Sequence, residues 1–284
     1  MEPPATGSPD GESPRGRFAR LRWLVPMLFL LVTAWLVWRE LAGFDFRELQ
    51  RTLLHVHTLD AALAAALALF AVAFTGSVDL AIAHWLKLGV RTREMLRLSF
   101  VANALSNSVS LSGASGSAVR LMGLSGHGVR MRRSAALVGL QVLSLPLGLS
   151  ALVIATLSSG SLPPTPNATM HWLAVAVLIA AALYLPLYLV LTGRRALMRW
   201  LPEEQELPPL RLKLGLSALS LLDWLLAAAS LWLCLTLAGA RVDAWTFLGA
   251  WTGASVLGLA SMIPGGFGVF DGLLLLALSA AGVP

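Results

Sequence analysis

Four ionisable side chains stand inside stretches that are otherwise as apolar as a lipid interior: Asp79, Arg120, Asp223 and Asp271. A charge near mid-bilayer costs at least about 2.5–3.5 kcal/mol, so each group needs a partner or a watery cavity. Arg120 offers a planar fork that grips a phosphate through two parallel hydrogen bonds, which makes a lipid phosphate its natural ligand. The other reading of Arg120 is an ion pair with Asp223 or Asp271. Either carboxylate fits that pairing or contact with a cationic headgroup. Asp79 follows Gly76 and Ser77 nearer the cytoplasmic end of its apolar run and reads as a solvated or helix-packing group. Asn103 and Asn107 are four apart and share a helix face, where they line the same cavity or satisfy a neighbouring bend. Pro264-Gly265-Gly266 breaks a helix, and its glycines free backbone N–H groups to face a ligand. Such backbone is tolerated at membrane depth only where it lines a cavity. The candidate substrate-binding set is therefore Arg120, Asp223, Asp271, Asn103, Asn107, Ser115, Gly116, Gly265, Gly266 and Gly268.

No catalytic residue, metal site or cofactor is expected. His55, His57, His84, His127 and His171 sit near the ends of apolar runs without metal-ligand spacing. The single cysteine, Cys234, lies in Leu-Trp-Leu-Cys-Leu and reads as packing. Hydrophobic residues make up 57% of the 284 and charged residues 13%, about half the share in a soluble domain. The solvent around such a chain is lipid. Its net charge of +6 does not point to nucleic acid, because the basic residues form short clusters between apolar runs.

A span takes roughly 20 apolar residues. Clear spans are 22–38, 61–86, 134–158, 171–192 and 214–238, preceded by a disordered cytoplasmic tail over 1–20 and together forming one transmembrane domain over 21–284. Trp23 and Trp38 bracket the first run like interfacial anchors, and no small-x-small cleavage site follows, so it is read as retained rather than as a signal peptide. The stretch 98–129 is harder, being interrupted by Asn, Ser and Gly. If it enters and leaves on one face, 16 Lys and Arg lie inside against 4 outside; if it crosses once, the split is 9 to 11. The positive-inside rule selects the first arrangement. Thirty-two residues are too few to cross twice, so 98–129 is a re-entrant hairpin with its tip near Ser112–Ser117. Three spans later a second broken region, 244–284, starts from the opposite face. Each bend has Gly-x-x-Gly (Gly113 and Gly116, Gly265 and Gly268) with a charge after it, Arg120 or Asp271. Paired broken segments of opposite orientation are the inverted-repeat signature of transporters. The expected fold is an all-α polytopic bundle of about five full spans plus two re-entrant hairpins, multi-pass in a bacterial inner membrane with its N-terminus cytoplasmic.

Gly113-Ala114-Ser115-Gly116 is similar to the Gly-x-Ser-Gly of rhomboid-type intramembrane serine proteases, but that chemistry needs a histidine at membrane depth. A more extensive resemblance runs from about residue 20 to the end. Asn103-Ala104-Leu105-Ser106-Asn107 leading to Ser115-Gly116-Ser117-Ala118-Val119-Arg120, then Asp223-Trp224-Leu225-Leu226, then Ser261-x-x-Pro264-Gly265-Gly266-Phe267-Gly268-Val269-Phe270-Asp271 stand in the same order in another family. With them the chain resembles the membrane half of the bifunctional lysylphosphatidylglycerol flippase/synthetases, the multiple peptide resistance factor group. The resemblance implies movement of aminoacylated phosphatidylglycerol to the outer leaflet, where a cationic lipid weakens the binding of cationic peptides. It implies Arg120 at the lipid phosphate, with Asp223 and Asp271 at the aminoacyl amine. Members of that group normally continue with further spans, and the bifunctional ones with a cytosolic transferase. Here only 13 residues follow Asp271, so the chain is expected to lack the transferase and to be a truncated product or to work with a separate aminoacyltransferase. The readings are thus a flippase-like transporter, a non-transporting lipid-binding partner, and, remotely, a protease. The oligomeric state is left open.

Overall fold

The computed structural model describes residues 56–108, 114–160, 168–261, 268–280 and 282, all within one compact unit spanning 51–284. The tail over 1–20 and the expected span 22–38 lie outside the described residues. Among those described, every regular element is an α-helix: α1 (Thr58–Phe74), α2 (Gly76–Trp85), α3 (Thr92–Ser108), α4 (Ala114–Gly126), α5 (Met131–Ser158), α6 (Ala168–Leu191), α7 (Leu210–Leu237), α8 (Ala244–Ala260) and α9 (Val269–Ala280). Four runs are long and apolar enough to cross a membrane: Thr58–Trp85, Met131–Ser158, His171–Leu191 and Leu210–Leu237. They coincide with the four later spans expected from sequence. The chain is a polytopic helical bundle.

Both stretches that resisted assignment as spans are paired shorter helices. α3 and α4 pack side by side, as do α8 and α9. The pairing of α3 with α4 is antiparallel, since its contacts run in opposite order along the two helices. Ser115 donates to the Leu105 carbonyl, Arg120 meets Asn103, a Cβ on Gly123 would strike Leu98, and His127 reaches Glu94 at 3.7 Å. Gly116 permits this approach, for a Cβ there would stand 2.6 Å from the Ala102 carbonyl oxygen. In the second pair a Cβ on Gly258 would touch Phe270, and Trp251, Ala254, Leu274 and Ala277 share one core cluster.

α5 is the central helix, touching α2, α4, α6, α7 and α8. Lipid tails are as apolar as leucine, so helices in a membrane associate through close packing and hydrogen bonds rather than through a hydrophobic force. α5 uses both. At Gly148 it crosses α7 so closely that a Cβ would overlap the Ser220 backbone, and the Ser220 hydroxyl accepts from Gly148 N (2.9 Å) while donating to the Leu145 carbonyl (2.9 Å). Trp224 Nε1 donates to the same carbonyl at 2.8 Å, and the Tyr184 hydroxyl donates to the Leu143 carbonyl at 2.8 Å. These donors gather around Pro146, where α5 lacks one N–H of its own. α6 has the same defect at Pro186, which leaves the Ala182 carbonyl without its i+4 donor. Ser150 of α5 repairs it by donating to that carbonyl at 3.1 Å and accepting from Leu185 N at 3.0 Å. Outside the bundle, Asp243 caps α8. Hydrogen bonds from Thr246, and then from Trp245, hold its carboxyl below the ordinary carboxylate range.

Candidate functional site: a buried arginine at the first hairpin

Arg120 lies midway along α4 and is 2% exposed. Its Nε donates to Oδ2 of Asp79 at 2.8 Å, and its Nη2 donates to Oδ1 of Asn103 at 2.6 Å. Asp79 comes from α2 and is fully buried; Asn103 comes from α3 and is 7% exposed. One guanidinium thus ties together three helices. The pairing answers the cost of charge in this place, because a buried cation keeps its charge only when opposed and hydrogen-bonded. The cluster is not saturated. Oδ1 of Asp79 and Nδ2 of Asn103 are buried without a hydrogen-bond partner among the described residues. The Ser99 hydroxyl, one turn before Asn103, lies near the carboxylate but outside hydrogen-bond geometry. A Cβ on Gly116 would stand 3.1 Å from Nη1 of Arg120, so this glycine clears the space beside the guanidinium.

Asp223, on α7, is half-buried and accepts from the Thr75 hydroxyl at 2.8 Å. Thr75 is the junction of α1 and α2, one turn before Asp79. The two acidic groups are therefore joined through one short stretch of chain. Among the described residues Asp223 has no ion-pair partner. Asp271 stands elsewhere, exposed in the first turn of α9, where its carboxylate faces Gly268 N at 3.4 Å. Gly268 has φ +77°, the left-handed conformation that opens the turn into α9. No hydrogen bond or ion pair among the described residues links Asp271 to Arg120.

The arginine's partner is therefore neither Asp223 nor Asp271, the two considered from sequence. It is Asp79, which is not solvated. The depths of the two agree, Asp79 lying six residues before the end of α2 and Arg120 six before the end of α4. Of the remaining candidates, the side chain of Asn107 and both Gly265 and Gly266 lie outside the described residues. Ser115 sits on α4, its hydroxyl donating to Leu105 O at 3.4 Å. His127, just past the end of that helix, lies twelve residues away, roughly 18 Å along the axis, and is engaged with Gly123 O and Glu94. That spacing gives the protease reading no support from His127.

Compared with known families, residues 26–284 match the lysylphosphatidylglycerol synthase TM region. The chain belongs to this family. Among curated relatives, the phosphatidylglycerol lysyltransferase of Staphylococcus aureus strain MRSA252 is 27% identical over 260 residues, covering 90% of this chain and 29% of the relative. The protein of the same name from strain MSSA476 is 26% identical over 264 residues, with the same coverage. That from Staphylococcus xylosus is 27% identical over 208 residues, 72% of this chain and 23% of the relative. The chain thus spans about three tenths or less of the length of these relatives. As a member of the lysylphosphatidylglycerol synthase TM-region family with four membrane-length apolar helices, it is a multi-pass bacterial membrane protein.

Proposed function

We propose that this protein is a flippase-like membrane protein that binds phosphatidylglycerol or its aminoacylated form and moves it between leaflets, without covalent catalysis. The observation that carries the reading is the buried guanidinium of Arg120, held by Asp79 and Asn103 in a cluster whose Asp79 Oδ1 and Asn103 Nδ2 have no partner among the described residues. A lipid phosphate offers the same pair of acceptor oxygens as a carboxylate, so it exchanges with Asp79 for the fork of Arg120. Asp223, which has no ion-pair partner among the described residues and is held by Thr75 one turn before Asp79, meets the aminoacyl ammonium together with Asp271. Asn103, Asn107, Ser115 and Gly116 are the residues proposed for the phosphate, and Gly265, Gly266 and Gly268 complete the binding set. The N-terminus is cytoplasmic, and the α3–α4 and α8–α9 pairs form an inverted repeat around α5, α6 and α7. Two helix pairs of matching form separated by three membrane-length helices support that arrangement. A cationic lipid delivered to the outer leaflet would lower the negative surface potential and raise resistance to cationic antimicrobial peptides.

A second reading, a lipid-binding partner of a separate aminoacyltransferase, is favoured by one observation. The matched region is a TM region of proteins named for lysyl transfer. Reconstitution separates the two. Purified protein in liposomes carrying fluorescent or lysyl-phosphatidylglycerol translocates lipid alone on the first reading. Arg120→Gln abolishes that transport, and Arg120→Lys, which keeps charge but not the fork, restores only part of it. Lipid binding without translocation, together with retention of an aminoacyltransferase on the protein, establishes the second reading.

A further inference from the structure

The face of α3 opposite the buried cluster carries an open-sided groove of about 760 Å³, lined by Thr92, Arg93, Leu96, Arg97, Phe100 and Val101. We infer that this groove is a docking site for one anionic phospholipid of the leaflet next to the Arg-rich loops, with its phosphate between Arg93 and Arg97 and an acyl chain along Leu96, Phe100 and Val101. The two charges and the apolar floor beside them both argue for that occupant. Arg93 and Arg97 are four residues apart, hence one above the other on the helix, and both are exposed. Neither ion-pairs with any described carboxylate, since Glu94 on the same turn points to the other arm and meets His127. Two neighbouring guanidiniums with no counter-ion among the described residues repel one another, and a phosphate between them removes the repulsion while filling their forks. Below them the lining is apolar, with Leu96, Phe100 and Val101 all exposed. From Leu96 to Val101 the apolar lining rises roughly 8 Å, within the depth of one leaflet of a 30 Å hydrocarbon core. A soluble anion would have no use for that apolar floor, and a zwitterionic lipid would bring its own cation to the two arginines.

This site rests on the flippase-like reading for the class of lipid only, because its readout is contact, not translocation. A benzophenone amino acid replacing Phe100 is photolysed in the full chain, in vesicles of equal phosphatidylglycerol and phosphatidylcholine, and the lipid adducts are identified by mass spectrometry. The same probe at Leu183, exposed on α6 and likewise eight residues from its helix end, reports the bulk ratio. Position 100 captures phosphatidylglycerol in excess, each guanidinium contributing about fivefold. The excess collapses to the bulk ratio in Arg93→Gln/Arg97→Gln and returns in Arg93→Lys/Arg97→Lys. It persists in Arg120→Gln, so loss of transport and loss of docking are distinguishable. A bulk ratio at position 100, an excess indifferent to the double Gln substitution, or adducts to this chain's own segments or to a second copy would overturn the proposal.

Discussion

Asp79 and Arg120 neutralise one another in a place where neither could stand alone, and that makes their energies inseparable. Asp79→Asn leaves a buried guanidinium without its counter-charge and is expected to lower stability by about 3–5 kcal/mol. Arg120→Gln strands the carboxylate at a similar cost. The double substitution costs less than the sum, because neutral amides have no opposite charge to lose. Thermal unfolding of the four proteins in detergent measures the cycle, and strict additivity would contradict the pairing. The residue scale is also where sequence reading went astray. The depth and charge of Arg120 were legible and its need for a partner followed from electrostatics. The choice among Asp79, Asp223 and Asp271 depends on which helix lies beside α4, which no local pattern encodes.

At the scale of elements, the bundle holds together by repairing its own defects. Ser150→Ala is expected to cost about 1–3 kcal/mol, since the Ala182 carbonyl opposite Pro186 is left without a donor. In a Pro186→Ala background α6 supplies that N–H itself, so Ser150→Ala becomes nearly silent. A penalty that persists there would show that Ser150 acts by packing and not by hydrogen bonding. The α5–α7 crossing makes a parallel case. Gly148→Ala drives a methyl into the Ser220 backbone and is expected to destabilise by about 1–3 kcal/mol. Gly215→Ala on α7, with open space around it, is neutral or mildly stabilising. Equal midpoints for the two variants would refute the close crossing. Pro146, Pro186 and Gly148 stand in plain view in the sequence, although run length alone placed their spans. That serines from neighbouring helices answer them is not visible there, because a serine reads alike whether it bonds its own helix or another.

For the whole molecule, the proposed topology makes a prediction about sidedness. Loops on either side of α7 should lie on opposite faces of the membrane. In a Cys234→Ser background, a membrane-impermeant maleimide added to intact cells should label Ala244→Cys, at the exposed start of α8. It should reach Ala196→Cys, in the exposed Arg-rich loop before α7, only after permeabilisation. Labelling of both from one side would break the odd count of crossings between the two hairpins and with it the inverted repeat.

Composition by itself determined the solvent: with so few charges and so many apolar residues, only lipid surroundings leave the chain without an exposed core. Run lengths set four of the membrane helices, since about 30 Å of hydrocarbon fixes how many residues a helix needs. Interruptions by Asn, Gly and Pro marked the two places where paired short helices replace a span. Tertiary structure alone decided that Asp79, Asn103 and Arg120 converge, that Asp223 answers to Thr75, and that Asp271 caps its own helix. Those are relations between faces of different helices. Because every face of a membrane helix is apolar, the pattern that tells inside from outside in a soluble protein is missing, and only packing distinguishes one face from another.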